Sequence, residues 1–255
     1  MTTATTPPSQ DPGPPLTGRR ILVTGASSGI GAATARALAG AGAGVALVAR
    51  RADELEALAG ELPGAVAVPA DLTDDAAARA AVERAALELG GLDALVNAAG
   101  VFHGGPVAGD GATGPDQWRS MFALNVVALL VVTQAAAPYL AEGTAPVVVN
   151  VSSMSGRRVP TAEGAVYAAT KHAVHAASDG LRLELAPRGV RVSTVAPGFV
   201  RTPIADDWPD GPLRARFTER LAAVGLDPET VADAVLHVIT TPAQVIEYAL
   251  TSVDQ

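Results

Sequence analysis

Short apolar runs alternate with longer helical patterns along most of the chain. A short continuous apolar run is typical of a buried strand, whereas apolar residues that recur every three or four positions indicate a helix. The sequence therefore predicts an alternation of strands and helices. The predicted strands are 20–24, 44–49, 65–70, 93–97, 145–152, 190–195 and 245–250. The predicted helices are 30–41, 53–62, 74–89, 116–140, 164–185 and 228–240.

This alternation predicts an α/β fold. Strands that are apolar throughout and separated by helices are typical of a parallel sheet covered on both faces. No break in composition divides the chain. We predict one doubly wound domain over residues 18–255 with a seven-stranded parallel sheet.

Two segments are predicted to lie outside this regular pattern. Residues 1–17 are rich in Pro, Thr and Ser, which predicts a disordered tail. The tail lacks the apolar core and basic start of a signal peptide. Residues 199–226 have a polar middle rich in Asp, Pro and Gly, and we expect them to form a substrate lid. Trp208 in this segment is interpreted either as a lid residue or as a contact to a partner subunit.

Composition excludes several classes of function. The 255 residues include 18 basic and 26 acidic side chains, a formal net charge of −8, which argues against nucleic acid or an anionic membrane as partner. No run approaches the roughly 20 apolar residues needed to span a bilayer. The absence of cysteine excludes disulfides, thiolate metal sites and cysteine nucleophiles, and the four histidines lack metal-ligand spacing. We therefore expect no metal.

A glycine-rich segment, T-G-A-S-S-G-I-G at 24–31, joins the first predicted strand to the first helix. In a doubly wound fold this junction binds a pyrophosphate. Gly25 would permit the tight turn, Gly29 would let the backbone approach the phosphates, and Gly31 would let helix and strand pack closely. The alternative is a turn that only packs.

The end of the second predicted strand indicates which dinucleotide binds. NAD-dependent proteins usually place a carboxylate there, whereas this chain has Arg50 and Arg51. Arginine pairs well with a phosphate, so we predict NADP(H), with Arg50 favoured as the contact. Ser27 and Ser28 would add hydroxyl contacts. The alternative is that both arginines are solvated loop charges.

Asp71 and Leu72 follow the third predicted strand. The Asp71 carboxylate would either accept a hydrogen bond from the adenine amino group or cap the next helix. Asp74 is a further candidate cap for that helix.

Tyr167 and Lys171 lie four residues apart on a predicted helix, so both project from the same face. An unperturbed tyrosine has a pKa of about 10. A neighbouring ammonium favours the phenolate and would lower that pKa. The alternative is a surface pair without function.

Together these motifs resemble the short-chain dehydrogenase/reductase family from about residue 16 to residue 250. The resemblance implies a Rossmann-type fold, NAD(P) binding and oxidoreductase chemistry between carbonyl and alcohol. The motifs that carry it are T-G-A-S-S-G-I-G at 24–31, D-L at 71–72, N-A-A-G at 97–100, L-N-V around Asn125, S-S at 152–153, Y-A-A-T-K at 167–171 and P-G-F-V-R-T at 197–202.

The resemblance also implies the catalytic roles. Tyr167 would be the acid-base, Lys171 would lower its pKa and bind the nicotinamide ribose, Ser153 would bind the substrate carbonyl, and Asn125 would bind a water in a proton relay. Ser153 precedes Tyr167 by fourteen residues, one more than the family pattern, and Ser155 precedes it by twelve. The strand-end sequence favours Ser153, with Ser155 as the alternative.

Further cofactor contacts are implied by the same motifs. They lie in the glycine-rich turn, in N-A-A-G, which would support the cofactor floor and the central sheet, and in P-G-F-V-R-T, which would line the nicotinamide end. These residues are Ile30, Asn97, Ala98, Ala99, Gly100, Pro197, Gly198, Val200 and Thr202.

The chain is most similar to a subgroup of cytoplasmic, NADPH-dependent reductases that includes 3-hydroxy acid dehydrogenases and the clavulanate-pathway aldehyde reductase. This implies a small-molecule carbonyl or alcohol substrate, a role in secondary metabolism, and a homodimer through a four-helix bundle or a homotetramer. The last predicted strand departs from the subgroup pattern. The competing hypotheses are a redox-neutral epimerase or dehydratase and a non-catalytic NADP(H)-binding sensor.

Overall fold

The computed structural model describes residues 15–254. Residues 1–14 of the predicted tail lie outside the described residues. Leu16, also assigned to that tail, is buried, and its amide donates to the carbonyl of Ala41 at 2.9 Å. The folded domain therefore includes Leu16.

Seven parallel strands form a single sheet, which confirms the predicted doubly wound α/β fold. Their order across the sheet is the third, second, first, fourth, fifth, sixth and seventh. The strands are β1 (Arg20–Thr24), β2 (Gly44–Ala49), β3 (Val66–Pro69), β4 (Ala94–Asn97), β5 (Val147–Val151), β6 (Arg191–Pro197) and β7 (Glu247–Leu250).

Helices cover both faces of this sheet. Side chains of a strand point alternately to the two faces of the sheet. In β1, Ile21 and Val23 belong to one apolar layer and Leu22 to the other, so both faces must be buried. The helices are α1 (Gly29–Gly40), α2 (Ala52–Glu61), α3 (Asp75–Leu89), α4 (Pro115–Phe122), α5 (Leu129–Ala141), α6 (Ala165–Leu185), α7 (Pro212–Val224) and α8 (Pro228–Thr240). The α1, α2 and α8 helices cover the first layer, and α3, α5 and α6 cover the second.

The strand order changes direction between β1 and β4. The chain runs outward from β1 to β3, returns to β4 beside β1, and runs outward again to β7. The last residues of the two central strands, Thr24 and Asn97, are neighbours in the ladder. Ligands of such sheets bind at the carboxyl ends of the strands where the order reverses. The fold therefore places the ligand site beside these two residues.

The long helix predicted over 116–140 is interrupted by a π-helical turn, Ala123–Ala128, between α4 and α5. Asn125 lies in this turn, and its side chain bonds to the backbone of Val101 outside the helix. Single π-helical turns often occur at functional sites. The sequence pattern did not reveal this turn, because its apolar spacing resembles that of an ordinary helix.

The same helix is more apolar than the sequence analysis allowed for. Pro115–Ala141 spans 27 residues with a hydropathy of 1.9, which is long and apolar enough to cross a membrane by length and composition. Its buried residues Val131, Val132 and Leu140 lie in the same core layer as Leu95. Packing on the sheet therefore accounts for this composition.

The predicted lid contains a helix that the sequence analysis missed. The α7 helix begins with Pro212, and Leu213, Phe217 and Leu221 recur every four residues along it. Proline is favoured at the first helical position and this spacing indicates one apolar face. Both signals were present, but the polar residues before them suggested a loop.

Candidate active site

The glycine-rich turn between β1 and α1 is packed too closely for side chains. Gly25 has a φ of +69°, and a Cβ there would lie 2.8 Å from the Cα of Ala99. A Cβ on Gly31 would overlap the carbonyl of Gly25. The turn therefore keeps its backbone amides accessible at the start of α1, as a phosphate site requires.

The segment after β6 meets this turn. A Cβ on Gly29 would lie 3.0 Å from Cγ2 of Thr202. Gly198 donates its amide to the carbonyl of Leu250 at 2.8 Å, and Val200 forms a β-bridge with Leu226. The two ends of the predicted cofactor site thus lie at one edge of the sheet, with Pro197 as the last residue of β6.

Thr24 connects the glycine-rich turn to the N-A-A-G segment. Its hydroxyl accepts from the amides of Ala98 and Ala99 at 3.1 and 3.2 Å. The sequence predicted Thr24 only as part of the glycine-rich motif. Its position as the last residue of the first strand was the available signal for a structural role.

Arg51, rather than Arg50, contacts the serines of the turn. The Arg51 guanidinium donates to the hydroxyls of Ser27 and Ser28 at 2.9 and 2.8 Å. The Arg50 side chain instead lies near Asp71 and helps lower the pKa of that carboxyl. Arg50 as the phosphate contact stays a prediction, although Arg51 is the arginine that contacts the serines of the turn. Both arginines are exposed.

Asp71 does not cap α3. Its carboxylate accepts from the amide and hydroxyl of Thr73 at 2.9 and 2.7 Å, and these two bonds lower its pKa. Asp74 caps the helix instead, by accepting from the amides of Ala76 and Ala77. The capping alternative for Asp71 is therefore wrong. Leu72 beside it is buried.

Asn97 begins a buried polar network beneath the site. Its side-chain amide donates to Thr133 at 3.0 Å and to Asn150 at 2.9 Å, and Asn150 donates to Ser178 at 2.9 Å. The network joins β4, β5, α5 and α6, as expected for support of the central sheet. The sequence-based prediction did not include Thr133, Asn150 and Ser178. Their isolated polar positions within apolar runs were the signal for a buried polar network.

The Ser153 hydroxyl lies near the Tyr167 phenol at the carboxyl edge of the sheet, where it acts to lower the pKa of the phenol. Ser153 is buried and also accepts from the amide of Ser155 at 3.0 Å, which caps a short 3₁₀ turn, Met154–Gly156. A second 3₁₀ turn, Ala162–Gly164, precedes α6 and accommodates the spacing of fourteen residues. The structure thus brings Ser153, not Ser155, to the phenol.

Burial dominates the ionisation of the Tyr167–Lys171 pair. It raises the pKa of Tyr167 to about 12, against the opposing hydrogen bond with Ser153. Burial lowers the pKa of Lys171 to about 8. The Lys171 ammonium donates to the carbonyl of Val151 at 3.0 Å and lies 5.7 Å from the centre of the tyrosine ring. The phenol pKa is thus raised with burial as its main cause, and the lowering of that pKa by Lys171 stays a prediction.

Asn125 is buried behind Lys171. Its side chain donates to Val101 at 3.0 Å and to Thr170 at 3.1 Å, and it accepts from the Val101 amide at 2.8 Å. A Cβ on Gly100 would lie 3.3 Å from the Asn125 oxygen and 3.8 Å from the Lys171 ammonium. The four predicted catalytic residues therefore lie together, after the end of β5, on α6 and in the π-helical turn.

Aromatic rings cover the outer side of Tyr167. The Phe102 ring lies 4.5 Å from that of Tyr167 and 4.8 Å from that of Trp208, measured between centroids. Trp208 is buried and donates its indole N–H to the carbonyl of Phe102. A Cβ on Gly104 would overlap the Trp208 ring. Trp208 thus packs inside its own chain against Phe102, and its role in a lid stays a prediction.

Comparison with known proteins gives consistent matches over most of the chain. A family model described as short chain dehydrogenase matches residues 19–212. An uncharacterized oxidoreductase from Staphylococcus aureus strain N315 is 35% identical over 232 residues, which cover 90% of this chain and 94% of that protein.

Solved structures are similar over the same extent. A short chain dehydrogenase from Burkholderia cenocepacia J2315 in complex with NADP is 35% identical, with a TM-score of 0.82, over 92% of this chain and 97% of that one. A 3-ketoacyl-(acyl-carrier-protein) reductase from Brucella melitensis complexed with NADH is 31% identical, with a TM-score of 0.81, over 92% and 98%. Both nicotinamide dinucleotides occur among these neighbours, so the choice depends on residues of this chain.

Proposed function

The chain belongs to the short-chain dehydrogenase family and is an oxidoreductase, and we propose that it reduces a ketone or aldehyde with NADPH. The observation that carries this proposal is the grouping of the Ser153 hydroxyl, the Tyr167 phenol and the Lys171 ammonium, which lies 5.7 Å from the centre of the tyrosine ring. The serine and tyrosine hydroxyls supply two donors to one carbonyl oxygen.

The residues of the turn fit the proposed cofactor. The glycine-rich turn leaves no room for side chains where a pyrophosphate would approach. Arg51, Ser27 and Ser28 form a cluster of one guanidinium and two hydroxyls, which suits the extra phosphate of NADP(H). No acidic side chain precedes Asp53 after β2 to bind a bare ribose.

The residues of this chain act on the carbonyl oxygen. When bound, the cofactor supplies the hydride that reaches the carbonyl carbon. Ser153 and Tyr167 donate hydrogen bonds to the oxygen as it gains negative charge. Tyr167 then transfers its proton to that oxygen as general acid, and the proton is available because the phenol is protonated at neutral pH. Lys171 and Asn125 would return a proton to the phenol through a bound water.

The function is tested by following NADPH absorbance with the purified protein and a panel of aldehydes and ketones. We expect consumption with at least one carbonyl compound. Tight NADPH binding without any consumption would favour a sensor instead. A redox-neutral enzyme would carry tightly bound nucleotide through purification.

Replacing Arg51 with alanine is expected to raise the KM for NADPH by about tenfold to a hundredfold, since charge-assisted hydrogen bonds are lost. The KM for NADH should not change. Steady-state kinetics with both cofactors would measure the effect. Arg84→Ala is the matched control, because Arg84 is exposed on α3 and pairs only with Glu88 at 3.8 Å. A wild-type preference for NADH would contradict the cofactor assignment.

We further propose a homodimer through the surface of α5 and α6. These helices border a groove of about 390 Å³ lined by apolar residues such as Leu130, Pro138 and Leu181. Val127 and Leu130 are exposed beside it, at 47% and 39% of their surface. A cluster of exposed apolar side chains favours a partner surface. The proposal also includes a homotetramer as the alternative assembly. We further propose a cytoplasmic location, where NADPH is available, and a role in secondary metabolism.

Replacing Leu130 with glutamate is expected to convert the protein to a monomer, because a dimer would bury the new charge without a partner. Light scattering coupled to size-exclusion chromatography would measure the mass. Leu87→Glu is the control, since Leu87 is 81% exposed on α3, away from the groove. An unchanged mass for Leu130→Glu would contradict this interface.

A further inference from the structure

We propose that Phe102, Trp208 and Phe217, here called the aromatic wall, select the substrate, and that this substrate is an uncharged carbonyl compound with a flat apolar group beside the carbonyl. The inference rests on the proposed function, because it assigns a substrate class to the same site.

The aromatic wall lies directly against the catalytic tyrosine. Phe102 contacts the Tyr167 ring at 4.5 Å, Trp208 lies 4.9 Å from Phe217, and Phe217 lies 5.5 Å from Phe102. Any substrate whose carbonyl reaches the phenol must therefore contact these rings.

The aromatic wall packs against apolar side chains. The side chains that pack with it are apolar and include Met121, Ala205, Val166, Ile204 and Leu213. A carboxylate buried among such side chains would lose its hydration without gaining a partner, which is strongly unfavourable.

Three of the four arginines in the lid segment are already paired with carboxylates, and the fourth, Arg220, lies 6.0 Å from the centre of the Phe199 ring. Arg214 contacts Asp210 at 2.6 Å, and Arg216 contacts Glu163 at 3.6 Å. Arg201 pairs with Asp227 as well. Recruitment of any of these three guanidinium groups by a substrate carboxylate would require an existing ion pair to break. His103 is the nearest partly buried base, and burial lowers its pKa, so it is neutral at pH 7.

The aromatic wall has two parts that substrate binding must separate. Phe102 follows β4, whereas Trp208 and Phe217 belong to the lid segment 199–226. The indole N–H of Trp208 is satisfied by the carbonyl of Phe102, so the ring faces offer only apolar and π contact. A flat apolar group between the two parts would replace the ring contacts that opening removes.

A matched pair of substrates tests this inference. Methyl benzoylformate and benzoylformate share one skeleton and differ in charge at the group beside the ketone. We expect kcat/KM to be about a hundredfold higher for the neutral ester, as burial of an unpaired carboxylate predicts. Equal constants, or a preference for the acid, would overturn the inference while leaving carbonyl reduction intact.

The Trp208→Ala variant tests the aromatic wall itself. It should lower kcat/KM for methyl benzoylformate by about tenfold or more, since both ring contact and apolar burial are lost. For ethyl pyruvate, which lacks the ring, the loss should be smaller. Tyr248→Ala is the control, because Tyr248 lies on β7, 5.8 Å from the His237 ring and outside the aromatic wall. Equal losses for both substrates would contradict ring recognition.

Fluorescence supplies a readout that does not depend on turnover. The chain has two tryptophans, so Trp118→Phe leaves Trp208 as the only indole. With NADPH present, methyl mandelate cannot react, and its binding should shift Trp208 emission. The Trp208→Phe variant, with Trp118 alone, should show no shift. Absence of a shift in Trp118→Phe would overturn the inference, whereas a shift without any carbonyl turnover would refute only the proposed function.

Discussion

Replacing Tyr167 with phenylalanine is expected to lower kcat for carbonyl reduction by about a thousandfold or more, since one general acid contributes up to about 10⁴-fold and an oxyanion donor a similar factor. The substitution removes one oxygen atom. The ring that contacts Phe102 at 4.5 Å remains, so packing should be preserved. The loss of rate would then measure the combined contribution of the phenolic proton and of its hydrogen bond to the substrate oxygen.

The measurement combines steady-state kinetics with NADPH binding by fluorescence titration. NADPH affinity should remain within about threefold of wild type, because less than 1 kcal/mol of binding energy would be affected. Tyr248→Phe is the matched control, since this tyrosine lies on β7 and stacks with His237 at 5.8 Å. Near wild-type turnover of Tyr167→Phe would remove Tyr167 from the mechanism.

Replacing Asp93 with alanine is expected to lower the free energy of unfolding by about 3 kcal/mol or more, as loss of one partner of a buried ion pair does. The Asp93 side chain is 2% exposed and pairs with Arg20 at 2.8 Å. It also accepts from the Thr144 amide at 2.6 Å. One carboxylate therefore joins the starts of β1 and β4 to the segment before β5. Urea unfolding would measure the loss.

The same carboxylate predicts a pH dependence. Burial would raise the pKa of Asp93, but the bonds from Arg20 and Thr144 outweigh it and lower the pKa to about 2. A lowered pKa means that the stabilisation is present above the unfolded value and is lost as pH falls from about 4 to about 2. This acid-induced loss should be weaker in Asp93→Ala.

An exposed ion pair provides the control. Asp116 pairs with Arg119 at 2.9 Å, with side chains 101% and 76% exposed. Asp116→Ala should leave the free energy of unfolding nearly unchanged, because water screens an exposed ion pair. Since Asp93 precedes β4 and the active site follows it, the folded fraction of Asp93→Ala should keep its kcat. A loss of unfolding free energy in Asp93→Ala as small as that in Asp116→Ala would show that Arg20 pairs with other groups when Asp93 is absent.

The strands and most helices could be predicted from the sequence because burial of both sheet faces imposes its own periodicity. The first two strands match their predicted bounds, and α8 begins at Pro228 as expected. The π-helical turn could not be predicted, because its cause is a contact between Asn125 and Val101, which are distant in sequence. Helix α7 was missed because polar residues before it dominated the local composition.

The site could be predicted from the sequence where motifs fix the backbone geometry. It could be predicted less well where a side chain has several possible hydrogen-bond partners. Gly25 and Gly31 have the close contacts that their motif implied. Whether Arg50 or Arg51 contacts Ser27 depends on which of the two side chains turns toward it. The sequence does not distinguish adjacent residues of equal charge. Burial of Tyr167 likewise depends on rings contributed by the lid.

Gly104 has an evolutionary consequence through its contact with Trp208. Since any side chain at position 104 would overlap the indole ring, the two positions cannot vary independently. A descendant of this protein that acquires alanine at 104 must first accept a smaller residue at 208 or lose the closed lid. Substrate preference should therefore drift through paired changes in a fixed order, with position 208 changing before position 104.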